Sequence, residues 1–272
     1  MVAPGLRTIA DGLDHPESIC WSAGEQRLYA GGEAGQIYRF ALADGPPELV
    51  ATIDGGVLLG LALDGAGRLY ACDPTHGCVH RVQPDGRVDR YGDAIGYPNY
   101  PAFDDQGRLW VSDSGGWEDA DGAIVRIDPD GATERVAAGL RFANGVAIRD
   151  GWLYVVESAW PGVVRLPLDG GDVEAVVGLE RVVPDGLAFD ADGGLWIGCW
   201  QPNRVYRRGP AGTLDVVVDD WSGEYVFTPT NLAFAGPQLD VLVLASLGGQ
   251  SVKAIAPGVC GAPLTTPALV AA

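Results

Sequence analysis

Residues 19–45 read ICWSAGEQRLYAGGEAGQIYRFALADG, residues 61–86 read LALDGAGRLYACDPTHGCVHRVQPDG, and residues 103–131 read FDDQGRLWVSDSGGWEDADGAIVRIDPDG. Each copy holds a short apolar strand, a turn, a strand of Leu-aromatic-hydrophobic form, a loop of small residues and an apolar strand ending near Asp-Gly. Further copies begin at Val146 and Leu187, and a looser one begins at Leu232. Five clear copies and one degenerate copy, spaced by roughly 40–45 residues, predict an all-β chain folded as a six-bladed β-propeller of four-stranded antiparallel sheets. An open solenoid repeats over shorter periods and needs caps, and nothing in the sequence marks one. The imperfect last copy suggests a blade closed by strands from both termini, with the segment around Leu6 to Ala10 as the partner. The propeller is assigned to residues 1–258, and the Pro- and Ala-rich stretch 259–272 is expected to be a loosely ordered tail.

The 40 glycines follow no collagen-like triplet and fall mostly in D-G, G-G or A-G pairs, which fits many turns between short strands. A net charge of −18 with scattered Lys and Arg argues against nucleic acid and anionic membrane surfaces as partners. No apolar run approaches the ~18 residues of a membrane span, and the start lacks a basic segment followed by an apolar one, so the expectation is a cytoplasmic protein. Cys20, Cys72, Cys78, Cys199 and Cys260 are odd in number and lack zinc-type CxxC spacing, so they are read as buried thiols. A small molecule is the expected partner; the sequence does not specify an oligomeric state.

Aligning the copies at the start of their first strand brings together PES (16–18), LLG (58–60), PNY (98–100), ANG (143–145), PDG (184–186) and PTN (229–231). The middle residues form the column Glu17, Leu59, Asn99, Asn144, Asp185 and Thr230. The first strand of a propeller blade is innermost, so this column becomes a ring around the central channel. Glu17, Asn99, Asn144 and Asp185 would then offer two carboxylates and two amide carbonyls to one point, without His or Cys. Hard oxygen donors of this kind select Ca²⁺, with Mg²⁺ or Mn²⁺ behind it. The competing reading is that Asn-Gly and Asp-Gly pairs are only turn formers. It does not explain Glu17, or four such residues in six equivalent places.

The PES of the first copy, LRFANGVAI of the fourth and VPDGLAFDADGGLWIGCW of the fifth resemble the gluconolactonase, regucalcin and senescence-marker-protein family of propeller lactonases. The resemblance extends over essentially the whole chain. It implies that Glu17, Asn144 and Asp185 are metal ligands and that Asn99 ligates the metal or its water. The regucalcin-like subgroup places an arginine two residues before that asparagine and an Asp after it, where this chain has Tyr97 and Tyr100. That arginine is associated with sugar-acid recognition, so the resemblance implies the metal site without a sugar-lactone specificity.

Loops joining second and third strands lie on the same face as the ring, and they contain His76, Trp117, Trp160 and Trp200. Connections between blades add Tyr97, Tyr100, Phe142, Tyr225 and Phe227, giving an aromatic mouth. Tyr97, Tyr100, His76, Trp117, Trp160, Trp200 and Asn99 are the expected substrate contacts, while Phe142 and Phe227 are read as gap fillers. Trp110 and Trp196 lie within second strands and are expected in the core. His76 and His80 flank Cys78, but alternate residues on one strand enclose too little volume for a metal without a further ligand. His76 is therefore read as a substrate contact or proton donor, and His80 as pointing away from the channel.

The chemistry expected from this arrangement is metal-assisted opening of a lactone or related ester, with Asp185 as general base. No GxSxG elbow is present, and three histidines, two of them in one blade, make a Ser-His-Asp triad improbable. Two other functions fit the same ring: a small-molecule binder with a structural metal, and a biosynthetic enzyme performing a non-hydrolytic step such as cyclisation or isomerisation.

Overall fold

The computed structural model describes residues 5–43 and 45–269, and these form six four-stranded antiparallel sheets with no helix among them. The inner strands are Ser18–Ser22, Leu61–Leu63, Pro98–Phe103, Ala143–Arg149, Val183–Phe189 and Pro229–Ala235. Five blades are simple meanders from the inside outward. The sixth is closed by Arg7–Asp11, which pairs antiparallel with Ser251–Ile255 as the outermost strand. This is the two-terminus closure predicted from the segment near Leu6 to Ala10.

The Asp/Gly turn and the aromatic of the second strand form one device. Asp104 is buried: its Oδ1 accepts the backbone N–H groups of Gln106 and Arg108, and its Oδ2 accepts Arg108 Nε at 2.6 Å and Trp110 Nε1 at 2.8 Å. Asp64 does the same with Arg68 and the Tyr70 hydroxyl. In the fifth blade Gly194 occupies the place of the arginine, and Arg207 of the third strand supplies the guanidinium to Asp190 Oδ2 at 2.7 Å beside Trp196 Nε1. A Cβ on Gly194 would lie 2.6 Å from an Arg207 Nη atom, so the glycine makes room for the replacement. Trp110 and Trp196 are fully buried, as their strand positions predict. Asp104→Ala would leave the Trp110 N–H and a half-buried guanidinium unpaired, and the expected loss of unfolding free energy is roughly 3 kcal/mol. Urea denaturation measures it directly.

The C-terminal stretch departs from the loose tail expected of it; its last residues, 270–272, lie outside the described ones. Two backbone donors in turns at the face opposite the ring, together with one donor of the tail itself and one arginine side chain, hold it. Ala191 N–H donates to Cys260 O, Ala262 N–H to Phe189 O, and Gly65 N–H to Pro267 O, while Arg68 donates to Leu269 O. Those turn donors need acceptors wherever they are shielded from water, a demand that composition does not reveal. Residues 262–266 thereby close the lower end of the channel around a cavity of about 110 Å³, walled by Ile19, Leu61, Phe103, Val146, Leu187 and Leu232. Cys20, Cys72, Cys78 and Cys199 are buried free thiols, as expected, whereas Cys260 is exposed on this tail.

Candidate metal centre and channel mouth

Glu17, Asn99, Asn144 and Asp185 all lie at the starts of inner strands, at the same end of the channel, and each is less than one-tenth exposed. The crowding there explains the Asx-Gly pairs. Gly145 and Gly186 lie inside strands without positive φ, so they are not turn residues. A Cβ on Gly145 would lie 2.2 Å from Asp185 O, and one on Gly186 would lie 2.6 Å from Thr230 O. Gly60 meets Asn99 O in the same way, at 2.6 Å. The glycines let each inner strand press against the ring residue of the next blade, which is a packing role that the turn-former reading does not supply.

A chain of hydrogen bonds then fixes the side chains. Asn99 Nδ2 donates to Ser114 Oγ at 3.0 Å, and that hydroxyl donates to Ala143 O, the residue before Asn144. Asn144 Nδ2 donates to Ser158 Oγ at 3.2 Å, and that hydroxyl donates to Pro184 O, the residue before Asp185. Thr230 Oγ1 donates to Glu17 O. Both amide nitrogens are thus directed at serines, and among the described residues no donor engages Asn99 Oδ1 or Asn144 Oδ1. Ser114 and Ser158 were missed in the sequence. The signal was present: serine follows the acid at the end of the second strand only in the third and fourth copies, the two that carry Asn in the ring.

The carboxylates carry the electrostatic consequence. Burial, then the charge of Asp185, pushes the Glu17 carboxyl well above the usual range, and its Oε2 is buried without a hydrogen-bond partner. Burial pushes Asp185 up to about 8, with a hydrogen bond from Asn144 offsetting part of the rise. Two buried acids without a neighbouring cation among the described residues, beside two amide carbonyls that none of those residues engages, form a donor set that fits a hard divalent ion. Zinc-type softness is absent from the ring. Serine partners that orient ligating amides act as an outer layer of such a site, so Ser158→Ala is expected to weaken divalent-ion binding about 10- to 100-fold, read by calorimetric titration, together with a lower unfolding midpoint because Asn144 Nδ2 and Pro184 O each lose a buried partner.

At the mouth the structure brings some expected contacts together and separates others. Tyr97 and Trp117, both nearly half exposed, meet through Phe142, whose ring centroid lies 6.2 Å from one and 5.0 Å from the other. Phe142, read as a gap filler, is therefore the centre of the rim cluster; Phe227 is likewise open to solvent, at 47%. Burial, then the charge of Glu17, raises the Tyr97 hydroxyl, which places it within electrostatic reach of the ring. Trp160 stands apart under the Arg141 guanidinium, 4.7 Å from its centroid, and Trp200 is half-buried at the end of its strand. Tyr100 is not on the rim: it lies within its inner strand and lines the cavity below the ring, at the register shift between Pro98 and Pro101 that breaks the simple alternation of the strand. His76 sits on the rim with Nδ1 held by Asp73.

With this geometry in view, the similarities to known proteins are informative. The sequence profile of the SMP-30/Gluconolactonase/LRE-like region matches residues 2–98 and 96–248. Pentonolactonase XacC of Haloferax volcanii is 29% identical over 251 residues, covering 86% of this chain and 82% of that protein. Two solved structures share the fold. A gluconolactonase of Xanthomonas campestris has a TM-score of 0.77 at 20% identity, covering 96% of this chain and 92% of its own. A calcium-binding protein, regucalcin, of Agrobacterium tumefaciens has a TM-score of 0.78 at 15% identity, covering 97% and 99%. The chain belongs to the SMP-30/gluconolactonase/LRE-like family.

Proposed function

We propose that the chain opens a lactone at the mouth of its channel, using a calcium ion held by Glu17, Asn99, Asn144 and Asp185. The observation that carries this reading is the pair of buried carboxylates, one with an unpartnered oxygen, beside two amide oxygens that no donor among the described residues engages. The names of the relatives, pentonolactonase and gluconolactonase, support the reaction class, and the regucalcin neighbour supports calcium over magnesium or manganese.

A bound divalent ion would supply positive charge to the carbonyl oxygen of the substrate and allow both carboxylates to ionise. Asp185 would then serve as base, accepting a proton from the attacking water. Addition to the carbonyl carbon and cleavage of the ring C–O bond send that proton to the departing alkoxide, so Asp185 ends the cycle ionised. Ser114 and Ser158 hold the amides in place and take no proton. Tyr97, Phe142 and Trp117 offer an apolar wall for the face of the substrate, and Asn99 is the polar contact proposed at the ring.

The substrate class that this wall favours is a small lactone bearing an aromatic or alkyl group. Hydrolysis of alkyl- and aryl-substituted lactones, compared with aldonolactones and followed before and after chelation, tests the reading. The expected result is a higher kcat/KM for the substituted lactones, lost on chelation. A chain that binds calcium and opens no lactone overturns it in favour of a binder or a non-hydrolytic enzyme.

A further inference from the structure

Blade two carries a cluster that the channel chemistry does not use. Two of the three histidines in the chain converge on one carboxylate oxygen: His76 Nδ1 lies 2.6 Å and His80 Nε2 lies 3.0 Å from Asp73 Oδ2. Asp73 is fully buried, and its other oxygen accepts the backbone N–H groups of Val57, Thr75 and His76, so the carboxylate cannot turn. Equivalent acids show what fold architecture alone requires. Asp113 in blade three accepts the Tyr97 N–H and takes one guanidinium contact, from Arg135 at 3.1 Å, and Glu157 in blade four accepts the Arg141 N–H. Neither gathers imidazoles.

The ligand atoms of Asp73, His76 and His80 lie within 4.8 Å of one another. Asp73 supplies the further ligand whose absence made a site from the two histidines alone too small. The Cys78 sulfur lies 3.6 Å from His80 Nε2 and softens the surroundings. The His80 side chain is 14% exposed and that of His76 42%, so the cluster is rigid on its inner side and open on its outer one. We propose that Asp73, His76 and His80 form a second metal site, independent of the channel, for a divalent ion of the zinc class. Two imidazoles and one carboxylate suit zinc and disfavour calcium. Zinc–ligand bonds of about 2.0–2.2 Å place ligand atoms roughly 3.3 Å apart, so the present contacts need open by only a fraction of an ångström. The ion would pin residues 74–77, the loop bearing His76, to the end of the second strand.

Zinc could also enter the channel ring, so the test begins from chelator-treated full-length Glu17→Gln, in which that ring is disabled. Calorimetric titration with Zn²⁺ is expected to show one ion per chain, not displaced by a thousandfold excess of Ca²⁺. Adding His80→Gln, or separately His76→Gln on the exposed loop, is expected to lower zinc affinity at least 100-fold. Absence of zinc binding to Glu17→Gln overturns the site, and so does unchanged affinity in either histidine variant. The outcome does not depend on whether any lactone is turned over.

Discussion

Asp185→Asn, assayed at saturating calcium, is expected to lower kcat for lactone opening by about 10²- to 10⁴-fold, the range that a positioned general base contributes. The substitution preserves shape, and Gly145 packs against the backbone oxygen of Asp185 rather than its side chain, so the inner strands keep their approach. What it removes is the proton acceptor and one negative charge of the ring. Lost charge also weakens the metal, which is why the assay is run at saturation: an effect on occupancy alone would vanish there, and an effect on proton transfer would persist. Asp185 suits the role because it is a buried carboxylate at the start of its inner strand, in the ring that would hold the ion. A variant that keeps full kcat once calcium is restored removes Asp185 from the chemistry.

Removing the metal is expected to make stability strongly dependent on pH. Burial raises both Glu17 and Asp185 in the folded chain. A carboxyl with a raised folded value binds its proton more tightly folded than unfolded. Below about pH 4 both states are protonated and nothing is lost. From there to about 8 the unfolded chain ionises first, so folded stability falls, on the order of 1 kcal/mol for each pH unit and each such carboxyl. Calcium reverses the sign of the problem by favouring the ionised pair, and its stabilisation should therefore grow with pH. Thermal unfolding of chelated protein should show a midpoint that falls steadily between about pH 5 and 8 and recovers on adding calcium, most at the upper end. A chelated protein with a flat midpoint across that window would mean that the two carboxylates share no common, dehydrated site.

The propeller and its ring were legible because both are repeated. Six copies in register turn a local pattern into a column, and the column converts directly into side chains around an axis, which is how Glu17 stood out although it is no turn former. Features that join one copy to another were harder to read. Ser114 and Ser158 act on the following blade, so their purpose emerges only when the blades are side by side. Gly145 and Gly186 looked like turn residues, because in sequence a glycine needed for close approach resembles one needed for positive φ. The Pro- and Ala-rich composition of the tail hid its anchoring, since much of that comes from hydrogen bonds to distant turns and a few apolar contacts made by Val259, Ala262 and Leu269. Tyr100 was assigned to the rim by proximity in sequence to Tyr97, whereas the irregular pairing between Pro98 and Pro101 lets it line the cavity below the ring. The Asp73 cluster was discounted because its third member sits on the neighbouring strand, five residues from Cys78 in sequence but opposite it in register.

Calcium titration of chelator-treated wild type and Glu17→Gln, with lactone turnover followed in the same samples, tests the metal-dependent hydrolase most directly. The expected result is one calcium per wild-type chain, turnover returning in step with occupancy, and neither binding nor turnover in Glu17→Gln. Full turnover in the calcium-free wild type, or calcium binding by Glu17→Gln as tight as in the wild type, would contradict it.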